Sequence, residues 1–77
     1  TWATPLLFRP IEHGVDVSIA AATKYLSGHS DVMLGTMTAS TEAIFRRLKD
    51  SAARWGNVAS ADDCYLVQRG LRTLDVR

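Results

Sequence analysis

One cysteine, Cys64, is all the thiol this sequence holds in 77 residues. A single thiol cannot close an internal disulfide, so the chain is no disulfide-stapled scaffold, and it suits a reducing, cytoplasmic compartment. Charge of one sign is missing too: nine Lys and Arg stand against eight Asp and Glu, a net of +1. A nucleic-acid module of this size carries a basic excess, so no nucleic-acid partner is expected. No apolar run approaches the roughly 20 residues that cross a bilayer, so no membrane partner is expected either. His13, His29 and Cys64 stand at no metal-ligand spacing, and we expect no metal site. The opening Thr1-Trp2-Ala3-Thr4-Pro5 lacks an initiator Met and a basic stretch leading into an apolar one. It reads as the middle of a longer chain, with no signal peptide. What remains is ordinary globular material, 47% hydrophobic and 22% charged, which argues against disorder. A chain this short buries only about 60% of its unfolded surface, so its core is thin: one small domain, or a piece of one.

Pro10 permits a helix only in its first turn and Gly14 ends one well, so a short helix or turn is expected to finish at His13. From Val15 the sequence alternates, with Val15, Val17 and Ile19 on one side and Asp16, Ser18 and Ala20 on the other, the period of a strand running to Ala21. Residues 22–31 are polar and end in turn formers, which predicts a loop. Val32 to Ala39 is apolar without a charge, the pattern of a strand buried on both faces, and Gly35 within it implies close approach of another backbone or a ligand. Ser40 or Thr41 can cap a helix over 41–55, with Ile44, Phe45, Leu48, Ala52 and Trp55 on one face and Arg46, Arg47, Lys49, Asp50 and Arg54 on the other. Gly56-Asn57 stops it. Ser60-Ala61-Asp62-Asp63 is a capping box in acidic form, starting a helix to about Arg69, where Gly70 is a break or a tight packing point. Three short strands and three helices predict an α/β architecture. They are too few to cover both faces of a sheet, which is therefore expected to continue in residues outside these.

Thr23-Lys24 at the end of a predicted strand, followed by Gly28-His29-Ser30-Asp31, is the stretch with chemistry in it. A lysine in a buried cleft loses its charge more readily through desolvation, and its neutral amine can attack a carbonyl carbon to form a Schiff base. The Thr23 hydroxyl can donate to a phosphate, and Gly28 lets backbone approach a ligand. On spacing alone, a lysine after a strand is also what a solvated surface residue looks like.

The run Asp16-Val17-Ser18-Ile19-Ala20-Ala21-Ala22-Thr23-Lys24-Tyr25-Leu26-Ser27-Gly28-His29-Ser30 resembles the attachment signature of the pyridoxal-phosphate-dependent enzymes of cysteine and methionine metabolism. In that signature an acidic residue and an aliphatic lead by a spacer into Thr-Lys, an aromatic, an aliphatic and Gly-His-Ser. The resemblance extends over the whole chain. Thr1 to Pro5 is similar to the family's segment after its cofactor-binding Asp-Asn pair, and Arg69 to Leu74 to a segment near the end of its large domain. Trp2 and His29 to Thr36 look most like the bacterial cystathionine β-lyases. The resemblance implies a fold-type I, aspartate aminotransferase-like large domain, of which residues 1–77 are a fragment holding the lysine loop, a buried strand and two helices. It implies pyridoxal 5'-phosphate as cofactor, Lys24 as the lysine bonded to it and as catalytic base, and Thr23 as a phosphate contact. The second hydroxyl the family often carries three residues before its lysine is absent here, where Ala21 stands. The Asp that pairs with the pyridine nitrogen, the glycine-rich phosphate loop, the stacking Tyr and the carboxylate-gripping Arg all fall outside these residues.

The implied activity is a lyase that removes the Cα proton of cystathionine through Lys24 and eliminates homocysteine, leaving pyruvate and ammonia. Such an enzyme serves methionine biosynthesis and transsulfuration as a cytoplasmic homotetramer with a small sulfur amino acid as substrate. Other members of the family, a cystathionine γ-synthase, a γ-lyase or an O-acylhomoserine sulfhydrylase, remain open, as does a non-catalytic small α/β binding module. His29-Ser30-Asp31 is a triad in letters only, because adjacent residues cannot form the relay. We expect His29 to fix a loop by hydrogen bonding, and Cys64, Trp2, Phe45 and Trp55 to pack in the core. The Arg46, Arg47, Lys49 and Arg54 face is expected to be solvated, and Arg69 and Arg72 to lie on the surface.

Overall fold

Proline lacks an N–H and fixes φ, so it opens a helical turn readily and continues one badly. In the computed structural model, which describes residues 1–77, Pro10–His13 forms a single 3-10 turn, closed by Gly14 at φ 90°. Two strands follow, β1 (Val17–Ala21) and β2 (Gly35–Ala39). They pair antiparallel, Val17 opposite Ala39 and Ala21 opposite Gly35. The expected third strand is not formed, and both strands are shorter than their apolar patterns, 15–21 and 32–39. The pattern marks which residues tolerate burial, while the ladder ends where the partner's backbone ends.

Helix α1 (Glu42–Trp55) begins at Thr41, whose hydroxyl accepts the Ile44 N–H at 3.3 Å, and ends at Gly56 in the left-handed region. Helix α2 (Ala61–Leu71) is capped in the same way by Ser60, which accepts the Asp63 N–H at 3.1 Å. It runs through Gly70 rather than stopping at Arg69. The Gly70 backbone lies against the carbonyls of Leu26 and Ser27, and a Cβ there would overlap the Ser27 oxygen. Gly70 is the tight packing point, not a break. A second 3-10 turn, Leu74–Val76, follows.

The core is small and sits on one side of the ribbon. Ala20, Ala22, Leu26, Val32 and Val67 are buried together, with Leu34, Leu66 and Leu74 packed against them. Ala20 therefore faces in, and Ile19, on the other side of β1, is largely exposed opposite Met37. Strand β2 has neither face buried, and nothing approaches the position a Cβ would take on Gly35. Trp2, Phe45 and Trp55 are exposed at 76%, 53% and 81%, not core. Cys64 is exposed as well, because the covered stripe of α2 runs through Leu66, Val67 and Gly70. All these corrections share one cause: a two-stranded ribbon with two helices forms one layer, measuring 34 × 30 × 14 Å. No helix is long and apolar enough to cross a membrane.

Candidate functional site

Beyond Ala21 the strand gives way to a tight turn, and the turn carries the lysine. Thr23 continues the ladder by one unusual step. Its N–H donates to the Leu34 carbonyl at 3.2 Å, and its side-chain oxygen accepts the Leu34 N–H at 2.9 Å. A hydroxyl thus replaces the backbone acceptor that the ladder lacks here. The same hydroxyl oxygen lies 3.4 Å from the Leu34 carbonyl oxygen, well beyond the usual O–H···O distance of about 2.8 Å, so its proton is only weakly engaged there. That proton is free to turn to a better acceptor at small cost.

The remainder of the turn is tied to itself. Lys24 donates its N–H to Ala21 at 3.2 Å, and the Lys24 carbonyl accepts the Gly28 N–H at 2.8 Å. Ser27, fully buried, donates its backbone N–H to Ala22 and its hydroxyl to the Thr23 carbonyl, both at 3.0 Å. His29 lies with Nδ1 2.6 Å from the Ser27 carbonyl. A carbonyl only accepts, so Nδ1 carries the proton. His29 is the loop-fixing residue the sequence leads one to expect. Gly28 and Ser30 both take positive φ, 73° and 57°, which reverses the chain sharply. Left-handed backbone costs a non-glycine residue about 1–2 kcal/mol, so the surrounding bonds hold Ser30 in a conformation it would not choose.

The side chain of Lys24 is exposed on an open cleft of about 920 Å³, lined also by Thr23, Tyr25, Ser30, Asp31 and Met33. Thr23 and Lys24 are thus brought to one cleft, while the burial expected around the lysine is not supplied by these residues. Three contacts were invisible to sequence reasoning. Thr1 reaches the end of β1, its hydroxyl accepting the Ala21 N–H at 3.3 Å. Arg69, expected on the open surface, is half-buried and paired with Asp31 of the loop. Arg77 lies over Gly28 and lines the cleft. All three span 20 residues or more, and no local pattern marks a contact of that range.

An antiparallel ribbon, a braced turn and a lone lysine on a cleft define an α/β segment built around one amine. The chain belongs to the Cys/Met metabolism PLP-dependent enzyme family, whose model matches residues 1–77. It is 48% identical over 77 residues to a cystathionine beta-lyase of Escherichia coli (strain K12) and 52% identical over 77 residues to an L-alanine/L-glutamate racemase of Wolbachia pipientis wMel. In both cases all of this chain and 19% of the relative are covered. Its backbone is similar to that of an apo methionine gamma lyase from Micromonospora echinospora, with a TM-score of 0.93 at 39% identity, covering the whole chain and 21% of that structure. The chain spans about a fifth of the length of these relatives.

Proposed function

We propose that residues 1–77 are the lysine-bearing segment of the cofactor-binding domain of a longer pyridoxal-phosphate-dependent carbon–sulfur lyase that acts on cystathionine. The observation that carries this reading is Lys24, presented on the cleft by a turn bonded to itself and, through Thr23, to Leu34 just before β2. The residues fit the cofactor. Its aldehyde asks for an amine, supplied by Lys24. Its phosphate asks for donors, and the weakly engaged proton of Thr23 is one. The cleft lies toward the upper end of the roughly 300–1,000 Å³ usual for small-molecule sites. Ala21 offers no hydroxyl, so Thr23 holds the phosphate from this segment without the second contact.

When bound, pyridoxal phosphate supplies an electron sink for negative charge at the substrate Cα. The chain's own part is performed by Nζ of Lys24. Nζ would hold the cofactor through its aldehyde and, as a free amine, would take the Cα proton of the substrate. Ser27 and His29 keep the turn from relaxing while Nζ changes partners. A lyase and a racemase resemble this segment to a similar degree, which supports giving it the step both reactions need, movement of the Cα proton. In the β-lyase reading homocysteine would be eliminated, and hydrolysis of the remaining three-carbon fragment by water would release pyruvate and ammonia. A second reading, γ-elimination, is favoured by the backbone likeness to the Micromonospora enzyme. A homotetramer working in methionine biosynthesis completes the proposal; its cytoplasmic setting alone draws support from the exposed thiol of Cys64, which a reducing compartment preserves.

The test is Lys24→Ala in the full-length protein carrying this segment. We expect an unchanged far-UV spectrum, loss of the cofactor's visible absorbance, and a fall in cystathionine turnover of about a hundredfold or more. Pyruvate as the wild-type product supports the β-lyase, and 2-oxobutyrate the γ-reading. Wild-type absorbance and turnover in the variant would refute the role of Lys24.

A further inference from the structure

Within the lysine turn the Thr23 and Ser27 carbonyls are met by the turn's own side chains, but those of Tyr25 and Leu26 find no partner in the turn, backbone or side chain. Leu26 is buried, and a buried carbonyl without a donor is costly, so something else must satisfy it. The donor comes from the far end of the chain. The Arg77 guanidinium donates from Nη1 to the Tyr25 carbonyl at 3.0 Å and from Nη2 to the Leu26 carbonyl at 3.4 Å. The same group donates from Nη2 to the Gly70 carbonyl at 2.6 Å and from Nε to the Thr73 hydroxyl at 3.0 Å. One side chain therefore bonds the lysine turn to the end of α2.

Donor counting decides what such an arginine does on a cleft wall. A guanidinium has five N–H groups, and four are committed to protein oxygens. A site for an anionic ligand would keep a pair of donors free in parallel; this one does not. The glycine at 28 agrees, since a Cβ there would fall on the guanidinium, and Gly28 leaves the space it occupies. Gly28 in turn donates its N–H to the Lys24 carbonyl, so the bonded unit runs from Arg77 through Tyr25–Gly28 to Lys24 itself.

We propose that Arg77 is a positioning residue for Lys24: it holds the turn that aims the amine and couples that aim to α2. The proposal rests on the reading of Lys24 as the cofactor lysine, but part of its test does not. In the full-length protein, Arg77→Met and Arg77→Lys are compared with wild type by hydrogen exchange of the cofactor-free form. The holoprotein is compared by the pH midpoint of its visible absorbance. Loss of several charge-assisted bonds should speed exchange of the Ser27 and Gly28 amides about tenfold or more in Arg77→Met at an unchanged far-UV spectrum. The pH midpoint should move, and kcat should fall with KM nearly unchanged. Arg77→Lys, which keeps a charge but not the fork, should fall between. It also decides the matter if Arg77→Met does not fold. Wild-type exchange and a wild-type pH midpoint in the folded variants would overturn the proposal. Lys24→Ala, measured alongside, separates the two ideas. If it keeps the visible absorbance, the reading of the site fails, while the exchange result still judges whether Arg77 holds the turn.

Discussion

In the proposed reading, Thr23 has two tasks that compete for one hydroxyl. Its oxygen serves Leu34, and its proton is the part left for a phosphate. Thr23→Val in the full-length protein removes both. Loss of a hydrogen bond to a charged phosphate is worth roughly 1.5–3 kcal/mol, a cofactor affinity about ten- to a hundredfold weaker. With Ala21 offering no substitute, the upper end is expected. The half-buried Leu34 N–H would also lose its acceptor, and the cofactor-free protein should lose about 1–3 kcal/mol of stability. Titration of the apoprotein with pyridoxal phosphate and a denaturant melt without it read the two effects separately. An unchanged dissociation constant with lowered stability would leave Thr23 only its service to Leu34. The lysine turn was legible in the sequence because its bonds are short in range: Ser27 to Thr23, His29 to Ser27, Gly28 to Lys24. Arg77, 51 and 52 residues from the carbonyls it serves, was not.

Among the elements, the helices were legible nearly to the residue, because their ends are written in local chemistry. Thr41 and Ser60 each satisfy an amide that the first turn leaves free, and Gly56 supplies the positive φ that ends α1. The strands were overextended. Residues 32–39 have the composition of a strand covered on both faces, but cover is a property of neighbours, and these residues do not provide them. Helix α1 stands apart from the lysine turn and packs on β2. Thr41→Ala should therefore lower the stability of the full-length protein by about 1 kcal/mol without altering cofactor affinity. Thermal unfolding and cofactor titration together check this; a changed affinity would tie α1 to the site through β2.

For the molecule as a whole, surface exceeds what its mass should show. A folded chain of 8.5 kDa is expected to expose about 4,700 Å², and this one exposes 5962 Å². Its radius of gyration, 13.0 Å, likewise exceeds the roughly 11.5 Å of a compact chain of this length. The excess is apolar in good part: Trp2, Leu7, Ile19, Met33, Trp55 and Val58 all stand out from the slab. Patches of that kind are covered by further protein or by copies of the same chain. The 77 residues alone should therefore associate, and light scattering should find no stable monomer. A monodisperse monomer would mean that this single layer satisfies itself.

The central claim is that Lys24 is the amine bonded to pyridoxal phosphate. Only one other lysine, Lys49, lies in the sequence, on exposed helix α1. Borohydride reduction of the full-length holoprotein, followed by peptide mass spectrometry, fixes whichever amine holds the cofactor. A single pyridoxyl adduct on Lys24 is expected. An adduct on Lys49 instead, or none within this segment, would contradict it.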